Sequence, residues 1–303
     1  MQKLILAGKD KGYNKAKGDD MMKEKIVQFI RKIISQNNYR GALVGISGGI
    51  DSAVVGALCV EALGKDKVFG LLLPERDSAP ETLLDYKLVC DFLGIKYKIR
   101  SITPTLKTMG VYSMENNYFF LPYQFKKRVV SKRWNVYGNS EVYLNNLNPT
   151  YNPQFLKDRA YYRVKHRIRM CYLYLEAEKR GYAVVGTTNK TELETGFYVK
   201  WGDEAVDLEP IIHLYKYQVY ELAKELQVPD KIIKKPPSPD LLPGVTDEAA
   251  LGLTYADLDR ILVKLNQGQD LENEDPEKVK RVKEIIESAG SRRTRIFSLD
   301  DSF

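Results

Sequence analysis

The stretch that most constrains this chain is Gly45-Ile46-Ser47-Gly48-Gly49-Ile50-Asp51-Ser52. It follows an apolar run, residues 41–46, that reads as a buried strand. It leads into a helical stretch carrying Val54, Val55, Leu58 and Cys59 that stops near Gly64. Glycines let the backbone approach an anion closely. A helix N-terminus adds unpaired N–H groups and the positive end of a dipole. The Ser47 and Ser52 hydroxyls supply further donors. Asp51 in such a loop repels an anion unless it also holds a cation, which implies Mg²⁺. A plain strand-to-helix turn uses the glycines but has no need of two serines and an aspartate.

The rest of the chain supplies a setting for that loop. Asp19 and Asp20 precede Ile26, Phe29, Ile30, Ile33 and Ile34, one face of an amphipathic helix. Residues 68–73, 95–99 and 183–188 read as further strands. Residues 80–92, 160–180, 215–226, 254–265 and 276–288 read as helices. Strands alternating with helices of a dozen residues predict a three-layer α/β fold, a parallel sheet with helices on both faces. Residues 108–153 break the rhythm and read as an irregular insertion rich in Asn, Tyr, Lys and Arg. The prolines of Lys234-Lys235-Pro236-Pro237-Ser238-Pro239 make that segment a loop. Residues 1–303 are expected to form one catalytic domain with a helical C-terminal part.

Composition narrows the chemistry. A net charge of +7 suits an anionic ligand, either nucleotide or nucleic acid, without choosing between them. Two histidines, His166 and His213, exclude histidine-rich metal chemistry. Three cysteines with no metal-type spacing read as reduced thiols. No run of about 18 apolar residues exists, and the first residues turn polar too early for a signal peptide. A cytoplasmic protein without a membrane span is the expectation.

The loop is neither the GxxxxGK[ST] nor the GxGxxG type. It resembles the PP-loop of the ATP pyrophosphatase superfamily, which implies ATP cleaved between its α and β phosphates and an adenine nucleotide alpha hydrolase-like fold. Within that group, four further blocks resemble the NAD synthetase family. They are Gly186-Thr187 through Glu192 with Thr195-Gly196-Phe197 and Lys200-Trp201-Gly202-Asp203; Pro210 with Leu214-Tyr215-Lys216; Lys235 through Leu241; and Thr246-Asp247-Glu248 with Leu251-Gly252 and Thr254-Tyr255.

The resemblance implies roles for individual residues. Gly45 to Ser52, Thr187, Ser238 and Lys216 would meet ATP. Asp51 and Glu192 would bind Mg²⁺. Arg167, Lys200, Asp207 and Arg292 would face deamido-NAD. It also implies a homodimer. The carboxylate of deamido-NAD would attack the α-phosphate, and ammonia would then displace AMP. Asp51, Lys216 and Asp203 are the expected catalytic groups, with Asp203 handling the ammonium proton. No amidohydrolase domain accompanies the core, so free ammonia, or ammonia from a separate protein, is the expected nitrogen source.

Arg163 stands where the family has Asn, and Ser291-Arg292-Arg293 where it has His-Lys-Arg. His166 replaces an alanine and reads as a packing or surface residue. Two rival readings remain: a related AMP-forming amide ligase with another carboxylate acceptor, and a tRNA-modifying protein. The basic Lys126-Lys127-Arg128 and Lys132-Arg133 clusters permit the latter. Nucleic acid is not the expected partner, because thiolation enzymes need reactive cysteines and Cys59 and Cys171 sit in helical stretches.

Overall fold

The computed structural model describes residues 15–114, 124–125, 143–145, 147–148, 152–238 and 246–293, with side chains from 22 to 290 among them. The expected insertion at 108–153 therefore lies mostly outside the described residues, as does Pro239.

Four parallel strands form one sheet in the order β3-β2-β1-β4: β1 (Gly41–Gly45), β2 (Val68–Leu72), β3 (Lys96–Ile99) and β4 (Tyr182–Val185). Ala42 lies beside Val68 on one flank and Ala183 on the other. Being central, β1 is an almost unbroken buried apolar run, as a strand covered on both faces must be. Side-chain alternation divides its residues between two cores. Ala42, Val44, Ala183 and Val185 face a core shared with α1 (Lys15–Gln36), α2 (Ile50–Leu63) and α3 (Thr82–Leu93). Leu43, Leu71 and Val184 face the opposite core, shared with α4 (Thr103–Thr108) and α5 (Pro153–Glu178). The expected three-layer α/β fold is the one observed. β3 is the exposed edge, and its two lysines discourage pairing with another chain.

After β4 come α6 (Lys190–Thr195), α7 (Lys216–Glu225), α8 (Asp230–Ile233), α9 (Asp247–Leu251), α10 (Tyr255–Gln267) and α11 (Pro276–Arg293). The last two pack together over a third apolar cluster that includes Leu258, Ile261, Leu262, Val282 and Ile285. The expected strand at 183–188 ends early. Beyond Val185 the Gly186 N–H bonds to Leu208 O, and Thr188 N–H donates to the Glu209 carboxylate. The helix expected from residue 160 begins seven residues sooner. Asn152 accepts from Gln154 N and Phe155 N, and Pro153 occupies the first turn, where its missing N–H costs nothing.

The chain passes from β1 to β2 to β3, then returns to the far side of β1 as β4. The loops leaving the carboxyl ends of β1 and β4 thus diverge and leave a crevice, the usual ligand position in an open α/β sheet.

Candidate functional site

The loop after β1 fills one side of that crevice. Gly48 has φ +68°, which favours glycine, and an added Cβ would come within 2.9 Å of Asp85 Cβ. The Ser52 hydroxyl is buried and organises the turn from inside. It donates to Gly49 O at 3.0 Å and accepts from Ser47 N at 3.2 Å and Ser47 Oγ at 3.1 Å. Ser47 is exposed to the crevice. Gly49 caps α2 with no side-chain hydrogen bond, so the first N–H groups of a 14-residue helix face that space.

The loop after β4 supplies the other side. Asn189 caps α6 in a reciprocal box: its Oδ1 accepts from Glu192 N, and Glu192 Oε2 accepts from Asn189 N, both at 3.0 Å. The remaining amide donor of Asn189 crosses the crevice to Asp51 Oδ1 at 3.0 Å. Asp51 Oδ2 receives Lys216 Nζ at 2.6 Å. Lys216 is the first residue of α7 and is 1% exposed. Asp51 is thus paired with an ammonium of the protein itself.

Asp247, first residue of α9, completes the cluster. Its Oδ2 accepts from Tyr255 OH at 3.0 Å, while its buried Oδ1 has no hydrogen-bond partner. Burial pushes its carboxyl up to about 6, against the pull of Lys216. Burial and the Asp51 carboxylate push Glu192 well above the usual carboxylate range. Burial alone would depress Lys216, but Asp51, Glu192 and Asp247 outweigh it and hold the ammonium above its ordinary value. Three carboxylates and one ammonium carry a formal charge of about −2 when all are ionised. That crowding of negative charge around one ammonium is part of why Glu192 and Asp247 hold protons more readily than usual.

A cleft of about 450 Å³ connects these groups. Gly45, Ile46, Ser47, Gly49, Ile50, Asp51, Thr187, Glu192, Asp203, Lys216 and Ser238 line it; Gly48 and Ser52 support the loop from behind. Three residues expected near the dinucleotide do not line this cleft. Arg167 donates through Nε and Nη2 to Lys200 O at 3.3 and 3.2 Å. Lys200 Nζ lies over the Trp201 ring at 5.3 Å. Asp207 accepts from Val184 N at 2.7 Å and Tyr174 OH at 3.3 Å. The side chain of Arg292 lies outside the described residues.

Several site residues escape sequence reasoning. Asn189 carried a readable signal, an Asn followed three residues later by Glu. Asp85 did not: buried beneath the loop, it meets Lys231 at 2.7 Å and Lys235 at 2.9 Å, tying the loop's support to the Lys-Lys-Pro-Pro segment. His166, expected on the surface or in packing, stands in the cleft wall. Of the cysteines, Cys59 and Cys90 are buried, with their thiols pushed up to about 12 by burial, so neither is a ready nucleophile; Cys171 is exposed. No described helix is long and apolar enough to cross a membrane.

Comparison with known proteins agrees with this geometry. A family model described as NAD synthase matches residues 22–144 and 130–295. The NH3-dependent NAD(+) synthetase of Thermotoga neapolitana is 60% identical over 275 residues, spanning 91% of this chain and 94% of its own. That of Thermotoga maritima is 59% identical over 275 residues, 91% and 98% of the two chains. Among solved structures, NMN synthetase from Francisella tularensis superposes with a TM-score of 0.70 at 25% identity, over 92% of this chain and 98% of that one. An NH3-dependent NAD synthetase from Campylobacter jejuni, in complex with the nitrate ion, gives 0.68 at 27% identity, over 93% and 99%. The chain belongs to the NAD synthase family.

Proposed function

We propose that this chain is a ligase that amidates deamido-NAD with ammonia at the expense of ATP, forming NAD, AMP and pyrophosphate. The observation that carries the reading is the crossing of the crevice by Lys216 and Asn189 onto Asp51, directly beside the glycine loop. The loop N–H groups and the Ser47 hydroxyl hold ATP phosphates. Thr187 and Ser238 contact the nucleotide from the opposite wall. The carboxylates around Lys216 favour its charged form, so it neutralises charge developing on phosphoryl oxygens. A carboxylate is a poor acyl donor, and adenylation gives it a leaving group. Positioning and charge neutralisation then suffice, without a side-chain nucleophile.

Asp51 and Glu192 fit a Mg²⁺ ion. Such an ion takes one or two carboxylates and completes its shell with phosphates and water. A cluster of three ligating side chains, absent among the described residues, is not required. Bound there, Mg²⁺ supplies charge neutralisation at the phosphates. Arg167, Lys200, Asp207 and Arg292 serve the dinucleotide side of the reaction, and Asp203 the ammonium side. The enzyme works as a cytoplasmic homodimer.

The test is NAD and AMP formation from deamido-NAD, ATP, Mg²⁺ and ammonium, with Asp51→Ala as control and nicotinic acid mononucleotide offered in parallel. NAD formation lost in the variant supports the reading. Pyrophosphate release with the mononucleotide alone would keep the ATP chemistry and replace the acceptor.

A further inference from the structure

We propose that His166, paired with Asp203, is the base that takes a proton from ammonium in the cleft and so generates the ammonia that attacks the activated carboxyl. This inference rests on the amide-forming reading above. It starts from an oddity of packing. His166 sits on α5 with its side chain 12% exposed, yet its Nε2 is buried without a hydrogen-bond partner in the wall of the cleft that also holds Asp51 and Lys216. An unpartnered ring nitrogen in the wall of a cleft has a free lone pair or a free proton to offer.

The other ring nitrogen decides which. His166 Nδ1 lies 3.4 Å from Asp203 Oδ2. The second oxygen of Asp203 accepts from Val199 N at 2.6 Å, which fixes the direction of the carboxylate. An accepting oxygen this close to Nδ1 favours the tautomer with hydrogen on Nδ1 and the lone pair on Nε2. The ring is held in place. Tyr162, one turn earlier on α5, packs against it at 5.1 Å between centroids. Opposite, a Cβ on residue 202 would lie 2.9 Å from His166 Cβ, so Gly202 makes room for the imidazole.

Burial, helped by nearby cations, favours the neutral ring. Burial is the largest influence and lowers its proton affinity; Asp203 opposes, and Arg169, Lys165 and Arg167 on the same helix reinforce the lowering. These cations are committed elsewhere: Lys165 to Glu75 and Asp77, Arg167 to Lys200 O, Arg169 to Leu73 O. A neutral imidazole at neutral pH can accept a proton, and Asp203 stabilises the imidazolium that results.

The proton balance is simple. One N–H bond of ammonium breaks, its proton passes to Nε2, and the electron pair stays on nitrogen. That pair forms the C–N bond to the adenylate's carboxyl carbon. The C–O bond to AMP breaks with its pair leaving on the phosphate oxygen. The surplus proton on the new amide nitrogen goes to water, and His166 releases its own proton before the next turnover.

The experiment compares wild type with His166→Ala and with His166→Gln, which fills more of the space if the first variant folds poorly. Ammonium and hydroxylamine are offered as nucleophiles, the latter unprotonated at neutral pH. The expected result at pH 7 is a loss with ammonium of about 100-fold, at the lower end of what a positioned base contributes. The loss shrinks as pH rises and free ammonia accumulates. Hydroxamate formation from hydroxylamine falls far less, and so does the initial release of pyrophosphate. Equal losses with both nucleophiles, or a pH-independent loss, would overturn the proposal by making His166 a packing residue. A wild-type enzyme that forms no NAD from deamido-NAD would overturn the functional reading itself, a result visible before any variant is made.

Discussion

Asn189 does two jobs, and they can be separated. Its Oδ1 caps α6, and its Nδ2 holds Asp51 across the crevice; the residue is fully buried. Asn189→Ala removes both. Losing an N-cap costs about 1 kcal/mol, and losing a hydrogen bond to a charged group costs about 1.5–3 kcal/mol. Lys216 still pairs with Asp51, which favours the lower end, so the sum is about 2–3 kcal/mol. At roughly 2–4 °C per kcal/mol for a chain of this size, the melting temperature falls by roughly 4–12 °C. Asn189→Ser keeps a good cap and removes only the link. It should recover about 1 kcal/mol of stability, because Ser is as good a cap as Asn.

Activity should not recover with the cap. Asp51 held by Lys216 alone can swing about that single contact. If the lost link, about 1.5–3 kcal/mol, is felt in the transition state, kcat for pyrophosphate release falls by roughly 10- to 100-fold. Melting curves and pyrophosphate release on the three proteins decide the matter. A serine variant with the wild-type rate would refute the link. Serine and alanine variants melting together would refute the cap.

Lys216→Met leaves Asp51, Glu192 and Asp247 without their shared cation; pyrophosphate release should fall by about 100-fold or more, and a loss under about threefold would remove Lys216 from the reaction. Lys165 is 0% exposed and meets Glu75 at 2.8 Å and Asp77 at 3.0 Å. Lys165→Met removes the ammonium they share but leaves Glu75 its bond from Tyr112 and Asp77 its bonds from Arg76 and Tyr161, so the cost in urea titration should lie at the lower end of the range for a broken buried pair, about 3 kcal/mol; a cost below about 1 kcal/mol would mean those remaining partners suffice. Burial raises the Glu209 carboxyl to about 8 from an ordinary value of 4.5, and its Oε1 is buried without a partner. The folded state therefore binds more protons between those values, so stability falls as pH rises through that window. With allowance for the residue's partial exposure the loss is about 1–3 kcal/mol. Glu209→Gln should melt above wild type at pH 9 and approach it at pH 5; a pH-independent difference would contradict this.

What was legible in the sequence was local. The apolar run of β1, the glycine loop and the start of α2 are contiguous, and each obeys a short-range rule. The Thr254 cap and Gly268 stop of α10 are of the same kind. The start of α5 carried its signal too, Asn152-Pro153, but polar and aromatic neighbours disguised it as part of an insertion. The order β3-β2-β1-β4 was out of reach, since nothing in β4 announces that it pairs with a strand some 140 residues earlier. The partner of Asp51 was hidden for the same reason: Lys216 lies 165 residues away, and only the β1–β4 crevice brings the two together.

The two halves of the site differ in how they use their polar atoms, and this explains why one was easier to read. The proposed phosphate site draws on backbone N–H groups of one continuous loop, so it leaves a short motif. The proposed acceptor side is assembled from α5 and the turn after Val199, where charged side chains hold backbone. Arg167 commits two nitrogens to Lys200 O, and Asp207 commits an oxygen to Val184 N. Their proposed service to deamido-NAD then runs through the segments they fix. Arg167 sets the Lys200–Trp201 turn, where Trp201 adopts φ +61° and stands 42% exposed. Asp207 binds the segment after Asp203 to the edge of β4. Such residues read as charges from sequence, and so do Asp203 and His166, yet it is these two that line the cleft.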